Sequence, residues 1–222
     1  GYMKLTKQQA WDLIRTAPYR KPLAEEWRKR SPDTPEKVRA FYQETGHYLV
    51  ECAKFNTARG YWARVYQATS AKGKVVDFGG GIGSVALDLA AQGAEVTFVE
   101  LPSAHRKFAE WRFKKRSLSV PVLDSLADIP DESQDAVVAT DVMEHIHPDE
   151  LPEALREIAR VLKPGGAFVP VNDFNHAADI PQHFDTADVF EKLCEVAGLE
   201  QNGQVYLKAV KARKEAEAPA LA

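Results

Sequence analysis

The chain has 222 residues, a formal net charge of −3 and a pI near 6.1; this length suits one α/β domain with an appendage and can bury a sizeable core. That charge balance creates no global field toward nucleic acid or an anionic membrane surface, and no run of about 18 apolar residues is present to span a bilayer. No apolar leader opens the chain, and Cys52 and Cys194 are too few for a disulfide framework, so a reduced cytoplasm is the expected compartment, with both cysteines as small buried hydrophobes.

Residues 1–71 hold Trp11, Trp27 and Trp62 and six of the seven tyrosines, and they lack any strand–glycine–helix alternation. They read as a helical cap. Lys7 to Thr16 forms a short helix before Pro18. Thr34-Pro35-Glu36 is an N-cap followed by proline at the first helical position, opening a helix with Val38, Phe41 and Tyr42 on one face. Gly46 interrupts it. Tyr48 to Ala68 supplies one or two more helices with Phe55, Trp62 and Val65 turned inward. Such a cap can also act as a lid whose aromatic side chains wall a pocket.

Residues 72–211 alternate strand and helix, which implies a Rossmann-like, mostly parallel sheet with helices on both faces. Strands are predicted at Lys74–Asp77, Glu95–Glu100, Val120–Leu123, Asp135–Thr140 and Ala167–Asn172. Leu199–Gly203 and Gln204–Lys211 have no helix between them and predict a hairpin, giving seven strands and an antiparallel C-terminal one. The basic stretch Arg106 to Arg116 places Ala104, Phe108, Trp111 and Lys115 on one helical face, the pattern of a sheet-covering helix with a solvated side rather than a nucleic-acid surface. Residues 212–222 read as a flexible tail of Ala, Lys, Glu and Pro.

Val75-Val76-Asp77-Phe78-Gly79-Gly80-Gly81-Ile82-Gly83 carries the most specific signal. An apolar strand ends in an acid, then glycines, then the helical rhythm of Ser84 to Ala91. Glycines there permit positive φ and close approach by a ligand, and the helix N-terminus offers free N–H groups. Gly81-x-Gly83-x-x-Ala86 also fits a dinucleotide fingerprint, so a nicotinamide-dependent oxidoreductase stays open at this point. Asp77 would repel a pyrophosphate and suits an amino-bearing or cationic ligand. Glu100, ending the next strand, can accept hydrogen bonds from ribose hydroxyls.

From about Gly73 to Val210 the chain resembles the class I S-adenosylmethionine-dependent methyltransferases. Val76 to Gly83 is similar to their first motif, Asp135 to Ile146 to their fourth-strand motif, and Val161 to Val169 to the helix–turn–strand that follows. The resemblance implies S-adenosylmethionine as cofactor, with S-adenosylhomocysteine as product. It places the methionine end on Asp77, Gly79, Gly80, Gly81 and Gly83, ribose on Glu100 with Leu101 beside it, adenine at Asp124, Ser125 and Leu126, and the substrate-facing edge at Thr140 and Asp141. The implied activity is methyl transfer to an oxygen or nitrogen of a small molecule. A catalytically degenerate binding protein of the same fold is the remaining alternative, and a homodimer is compatible with the fold.

Histidines next to the crevice are the candidate bases, because imidazole titrates near neutral pH. His145 and His147, and after them His176, are the catalytic candidates, with helix capping before Pro148 as the structural alternative for the first two; His183 is read as structural. Asp141, Glu144 and His145 resemble a metal-binding E-x-x-E-H pattern with Asp in first place. The same pattern occurs in metal-free relatives, so no metal is predicted.

Overall fold

The computed structural model describes residues 2–18, 20–58, 61–174 and 180–210. In chain order these form α1 (Lys7–Thr16), α2 (Lys21–Arg30), α3 (Pro35–Glu44), α4 (His47–Phe55), α5 (Tyr61–Arg64), α6 (Tyr66–Thr69), β1 (Lys74–Phe78), α7 (Ser84–Ala91), β2 (Glu95–Val99), α8 (Ala104–Lys115), β3 (Val122–Leu123), β4 (Gln134–Thr140), α9 (Leu151–Val161), β5 (Leu162–Val171), α10 (Ala187–Val196), β6 (Leu199–Asn202) and β7 (Val205–Lys208). Single 3₁₀ turns at Leu126–Asp128 and Met143–His145 follow β3 and β4. No helix of the described residues is long and apolar enough to cross a membrane.

The seven strands form one sheet in the order β3-β2-β1-β4-β5-β7-β6. β1, β2, β3, β4 and β5 pair in parallel, while β7 runs antiparallel to both β5 and β6. The antiparallel β7 wedged between β5 and β6 departs from the all-parallel order of a dinucleotide domain. Reversal of order between β1 and β4 makes the crevice at their carboxyl ends.

Both faces of the sheet are covered. On one side α9 lays Leu151, Leu155 and Ile158, all fully buried, against Val137, Leu162 and Phe168, with Phe190 and Cys194 of α10 beside them. On the other, Val85 and Leu89 of α7, Ala109 and Phe113 of α8, and Tyr61, Val65 and Ala68 pack on Val75, Phe98 and Val138. The N-terminal helices therefore divide. Tyr61 to Thr69 belong to the sheet's own covering layer, whereas Leu23, Trp27, Val38, Phe41 and Tyr42 form a separate aromatic cluster.

Several local expectations are borne out. Thr34 caps α3 by accepting the Lys37 N–H, and Val38, Phe41 and Tyr42 are its buried face. Others are corrected. Helix α2 has no counterpart in the sequence reading; its run of charges hides a buried face of Leu23, Ala24 and Trp27. Trp62 is not inward but 46% exposed. The helix breaks at Val65 between α5 and α6, and Tyr61 turns to the core instead. Helix α8 buries His105, Ala109 and Phe113 rather than the Ala104–Phe108–Trp111 stripe. Phe108 and Trp111 stack on each other beneath the Tyr2 ring at the surface. Arg112, expected in solvent, turns inward to donate to the Ile82 carbonyl and to Ser84 Oγ; burial lowers its pKa to about 10. β5 begins at Leu162, five residues before the predicted start, because Leu162 already pairs with Gln134 ahead of a register shift. The tail and the end of the predicted last strand lie outside the described residues.

Candidate active site

The crevice at the carboxyl ends of β1, β2 and β4 opens into a cavity of about 520 Å³, within the roughly 300–1,000 Å³ of small-molecule sites. Its wall includes Gly79, Glu100, Leu101, Asp124, Ser125, Leu126, Asp141 and His145, all singled out from sequence. Tyr42, Tyr48, Val38 and Arg39, contributed by α3 and α4, close the opposite side. The aromatic cap thus walls the crevice, as expected.

The glycines of the turn differ in what a side chain would meet. A Cβ on Gly80 would lie 2.5 Å from Asp77 Oδ2 and from the Phe98 ring, and one on Gly83 would lie 2.8 Å from the Phe113 ring. Those two are required by packing. Gly81 has φ +56, and a Cβ there would meet nothing nearer than Cys52 Sγ at 3.9 Å. Its open face is a cradle that a ligand can approach, so the turn fits the methionine end of the implied cofactor.

The two acids separate in the fold. Asp77 is fully buried beneath the turn, away from the cavity wall. Its Oδ2 accepts the Ala86 N–H at 2.9 Å and so caps the start of α7, while Oδ1 has no hydrogen-bond partner among the described residues. Burial, helped by the Glu100 charge, pushes its pKa up to about 7 against the pull of the Ala86 N–H. Asp77 therefore shapes the turn from below. Glu100 is in the wall. Its Oε2 accepts the Gly81 N–H at 2.7 Å and its Oε1 the Leu101 N–H at 2.8 Å, leaving acceptor capacity for ribose hydroxyls. Asp124 pairs with Arg106, Ser125 Oγ accepts the Ala127 N–H, and Leu126 is buried below them. Of the turn only Gly79 lines the cavity; Gly80, Gly81 and Gly83, and Thr140 at the end of β4, stay outside its wall.

Asp141 adopts φ +54, a conformation non-glycine residues rarely hold and one that concentrates at functional sites. Its N–H donates to Val171 at 2.8 Å, fixing the chain's exit from β4. His145, four residues on, meets the Tyr42 hydroxyl at 2.9 Å through Nδ1, with the Gln182 carbonyl at 3.3 Å. Desolvation lowers its pKa to about 4, partly opposed by the Gln182 carbonyl. His145 is thus neutral at pH 7 and only weakly basic. Nothing in the local motif foretold Tyr42, which lies 103 residues away.

A smaller chamber of about 90 Å³ adjoins the main cavity, and Tyr48, Asp141 and His145 line both. Arg20, Glu51, Cys52, Asp173, Gln182 and His183 complete much of its wall. The candidate base His176 lies outside the described residues. The metal pattern is rearranged: Glu144, His145 and His183 offer ligand atoms within 4.8 Å of one another, and Asp141 is not part of that group. Glu144 Oε1 accepts the Asp173 N–H at 2.8 Å, and its carbonyl accepts the Phe184 N–H at 2.7 Å, tying this turn to the chain after β5.

Residues 76–169 match a family model described as a methyltransferase domain. The chain is 31% identical over 146 residues to sterol 4-C-methyltransferase strm-1 of Caenorhabditis elegans; the match covers 61% of this chain but only 42% of that relative. Among solved structures, phosphoethanolamine N-methyltransferase 2 of Haemonchus contortus in complex with S-adenosyl-L-methionine superposes with a TM-score of 0.59 at 20% identity, over 73% of this chain and 44% of that one. The YcgJ protein of Bacillus subtilis gives 0.53 at 19% identity, over 62% and 68%. Residues 76–169 are thus similar to the methyltransferase-domain family, and the seven-strand sheet with its antiparallel β7 is the fold shared with these solved structures.

Proposed function

We propose that the protein transfers a methyl group from S-adenosylmethionine to a nitrogen or oxygen of a small polar acceptor. The observation that carries this reading is the junction of the two chambers at Tyr48, Asp141 and His145. Gly79, Glu100, Leu101 and Asp124–Leu126, assigned to the cofactor, line the larger chamber, and the smaller one opens where a reacting methyl would be presented. The cofactor supplies a methyl already activated on a sulfonium. The protein's task is then to align an acceptor lone pair and exclude water. Glu100 accepts the ribose hydroxyls, Leu101 and Asp124–Leu126 flank adenine, the Gly79–Gly83 turn receives the methionine end, and Thr140 and Asp141 form the edge toward the acceptor.

His145, pinned by Tyr42 and neutral at pH 7, suits a hydrogen bond that orients an acceptor N–H or O–H rather than strong proton abstraction. Glu51, Asp141 and Asp173 outnumber Arg20 among the charged groups of the small chamber, which favours a small amine. A carbon acceptor is the second reading, supported by the sterol methyltransferase relative; the 90 Å³ of the small chamber argues for something far smaller than a steroid skeleton. The cap helices α1–α4 act as the lid, with Tyr61–Thr69 part of the cofactor domain's covering layer, and no metal or nucleic acid takes part.

Isothermal titration with S-adenosylhomocysteine and NADH, followed by methyl-transfer assays on panels of small amines, alcohols and sterols, tests the proposal. Binding of the homocysteine and methylation of amines or alcohols are expected. Tighter binding of NADH, or methylation of sterols alone, would refute it. Size-exclusion chromatography reads whether the protein is a homodimer.

A further inference from the structure

We propose that His105 is a positioning residue for the Glu100 carboxylate, retained for cofactor affinity although it costs stability. The inference rests on the reading of Glu100 as the ribose acid. His105 sits in the first turn of α8, behind the Ser103 N-cap, and is 1% exposed. Its Nε2 lies 3.4 Å from Glu100 Oε1, and the Tyr48 ring packs edge-on against the imidazole at 5.1 Å. Its Nδ1 is buried with no hydrogen-bond partner among the described residues.

These observations fix the proton. A neutral imidazole carries one N–H. With the proton on Nδ1, a bare Nε2 lone pair would face a carboxylate oxygen. With the proton on Nε2, the N–H edge of the ring lies 3.4 Å from Glu100 Oε1 and the bare Nδ1 is left as a buried acceptor. The second arrangement wins because it removes a charge–lone-pair repulsion, and it leaves one unsatisfied atom behind. An apolar side chain of similar size would fill this place beside Tyr48 without that penalty. A histidine that only packed would therefore be a poor choice.

The gain lies at Glu100. Oε1 accepts the Leu101 N–H and has the His105 ring 3.4 Å away. Oε2 is held only by the Gly81 N–H. Ribose hydroxyls can replace the Gly81 contact at Oε2 while Oε1 keeps the carboxylate in plane. Carboxylates that bind ligands are oriented by such partners, whose loss typically weakens binding.

The test measures affinity for S-adenosylhomocysteine and for its 2′,3′-dideoxy analogue in wild type, His105→Leu and His105→Gln, with melting temperatures alongside. His105→Leu is expected to bind S-adenosylhomocysteine about 5–30-fold more weakly, to bind the dideoxy analogue as wild type does, and to melt about 2–6 °C higher. Glutamine, whose amide nitrogen reaches the Nε2 position, should restore most of the affinity. Equal weakening of both ligands together with a lower melting temperature would show a packing role and overturn the proposal, as would unchanged affinity. Should the leucine variant not fold, His105→Asn, whose shorter amide cannot reach Glu100, replaces it; equal affinity of the asparagine and glutamine variants would overturn the proposal. Failure of wild type to bind S-adenosylhomocysteine at all would instead remove the cofactor reading, and this inference with it.

Discussion

Replacing Asp77 by asparagine should make the protein more stable above neutral pH, and the difference should shrink as the solution is acidified. Asp77 is fully buried, with one oxygen on the Ala86 N–H and the other unpartnered. Its carboxyl titrates near 7 instead of 3.8. Below about pH 4 both folded and unfolded chains hold the proton. Between about 4 and 7 the unfolded chain releases a proton that the folded chain keeps, so stability falls with rising pH, and above about 7 the loss is complete. At 1.36 kcal/mol per pH unit the gap amounts to at most about 4 kcal/mol. An asparagine keeps the bond to Ala86 and removes the charge, but it buries an amide N–H at the unpartnered position, costing about 1–3 kcal/mol. The expected net gain at pH 8 is about 1–3 kcal/mol. His145 titrates with the opposite sign: its pKa falls from 6.5 to about 4, so it adds stability as pH rises over that interval. The informative quantity is therefore the variant minus wild type, in which His145 cancels. Thermal melts at half-unit steps from pH 4 to 8 should show this difference widening by up to roughly 8–16 °C, the pH-dependent part of about 4 kcal/mol at about 2–4 °C per kcal/mol for a chain of this size. A difference that stays flat across the range would refute the assignment of a buried, protonated Asp77.

Glu100→Ala should weaken S-adenosylhomocysteine binding about 10–100-fold, since hydrogen bonds to a charged group contribute about 1.5–3 kcal/mol; calorimetry showing wild-type affinity would remove the ribose role. Tyr42→Phe takes away the hydroxyl that meets His145 and should lower kcat about 2–10-fold with cofactor affinity unchanged; a loss confined to cofactor binding would contradict the orienting role. Gly80→Ala forces a methyl to within 2.5 Å of Asp77 and Phe98 and should destabilise by about 1–3 kcal/mol or more, whereas Gly81→Ala should spare packing, being strained only through its positive φ, and act mainly on cofactor binding. Dialysis against EDTA should leave methyl transfer unchanged; loss of turnover restored by a divalent ion would instead give Glu144, His145 and His183 a metal-binding role.

Local patterns in this chain were legible wherever one element settles its own geometry. The strand–glycine–helix run at Val75–Ala91 needs positive φ at fixed positions and tight packing at others, and only glycine satisfies both. The Thr34–Pro35 start of α3 and the apolar period of α9 are equally local. Helix α2 was not legible, because Trp27 and Leu23 find their partners on α3 and near Phe184. The face of α8 was misassigned for the same reason: Phe108 and Trp111 have a helical period, but the sheet selects the neighbouring stripe, with Ala109 and Phe113 against Phe98.

The sequence by itself determined the glycine turn, the acid just after β2 and the seven-strand alternation, since each follows from backbone chemistry over a few residues. Tertiary structure alone decided that Asp77 lies under the turn while Glu100 lines the cavity, that Tyr42 reaches His145, and that His105 stands beside Glu100. Those relations depend on burial and on contacts between segments far apart in the chain, and no local pattern records the distance between two side chains before the sheet has brought them together.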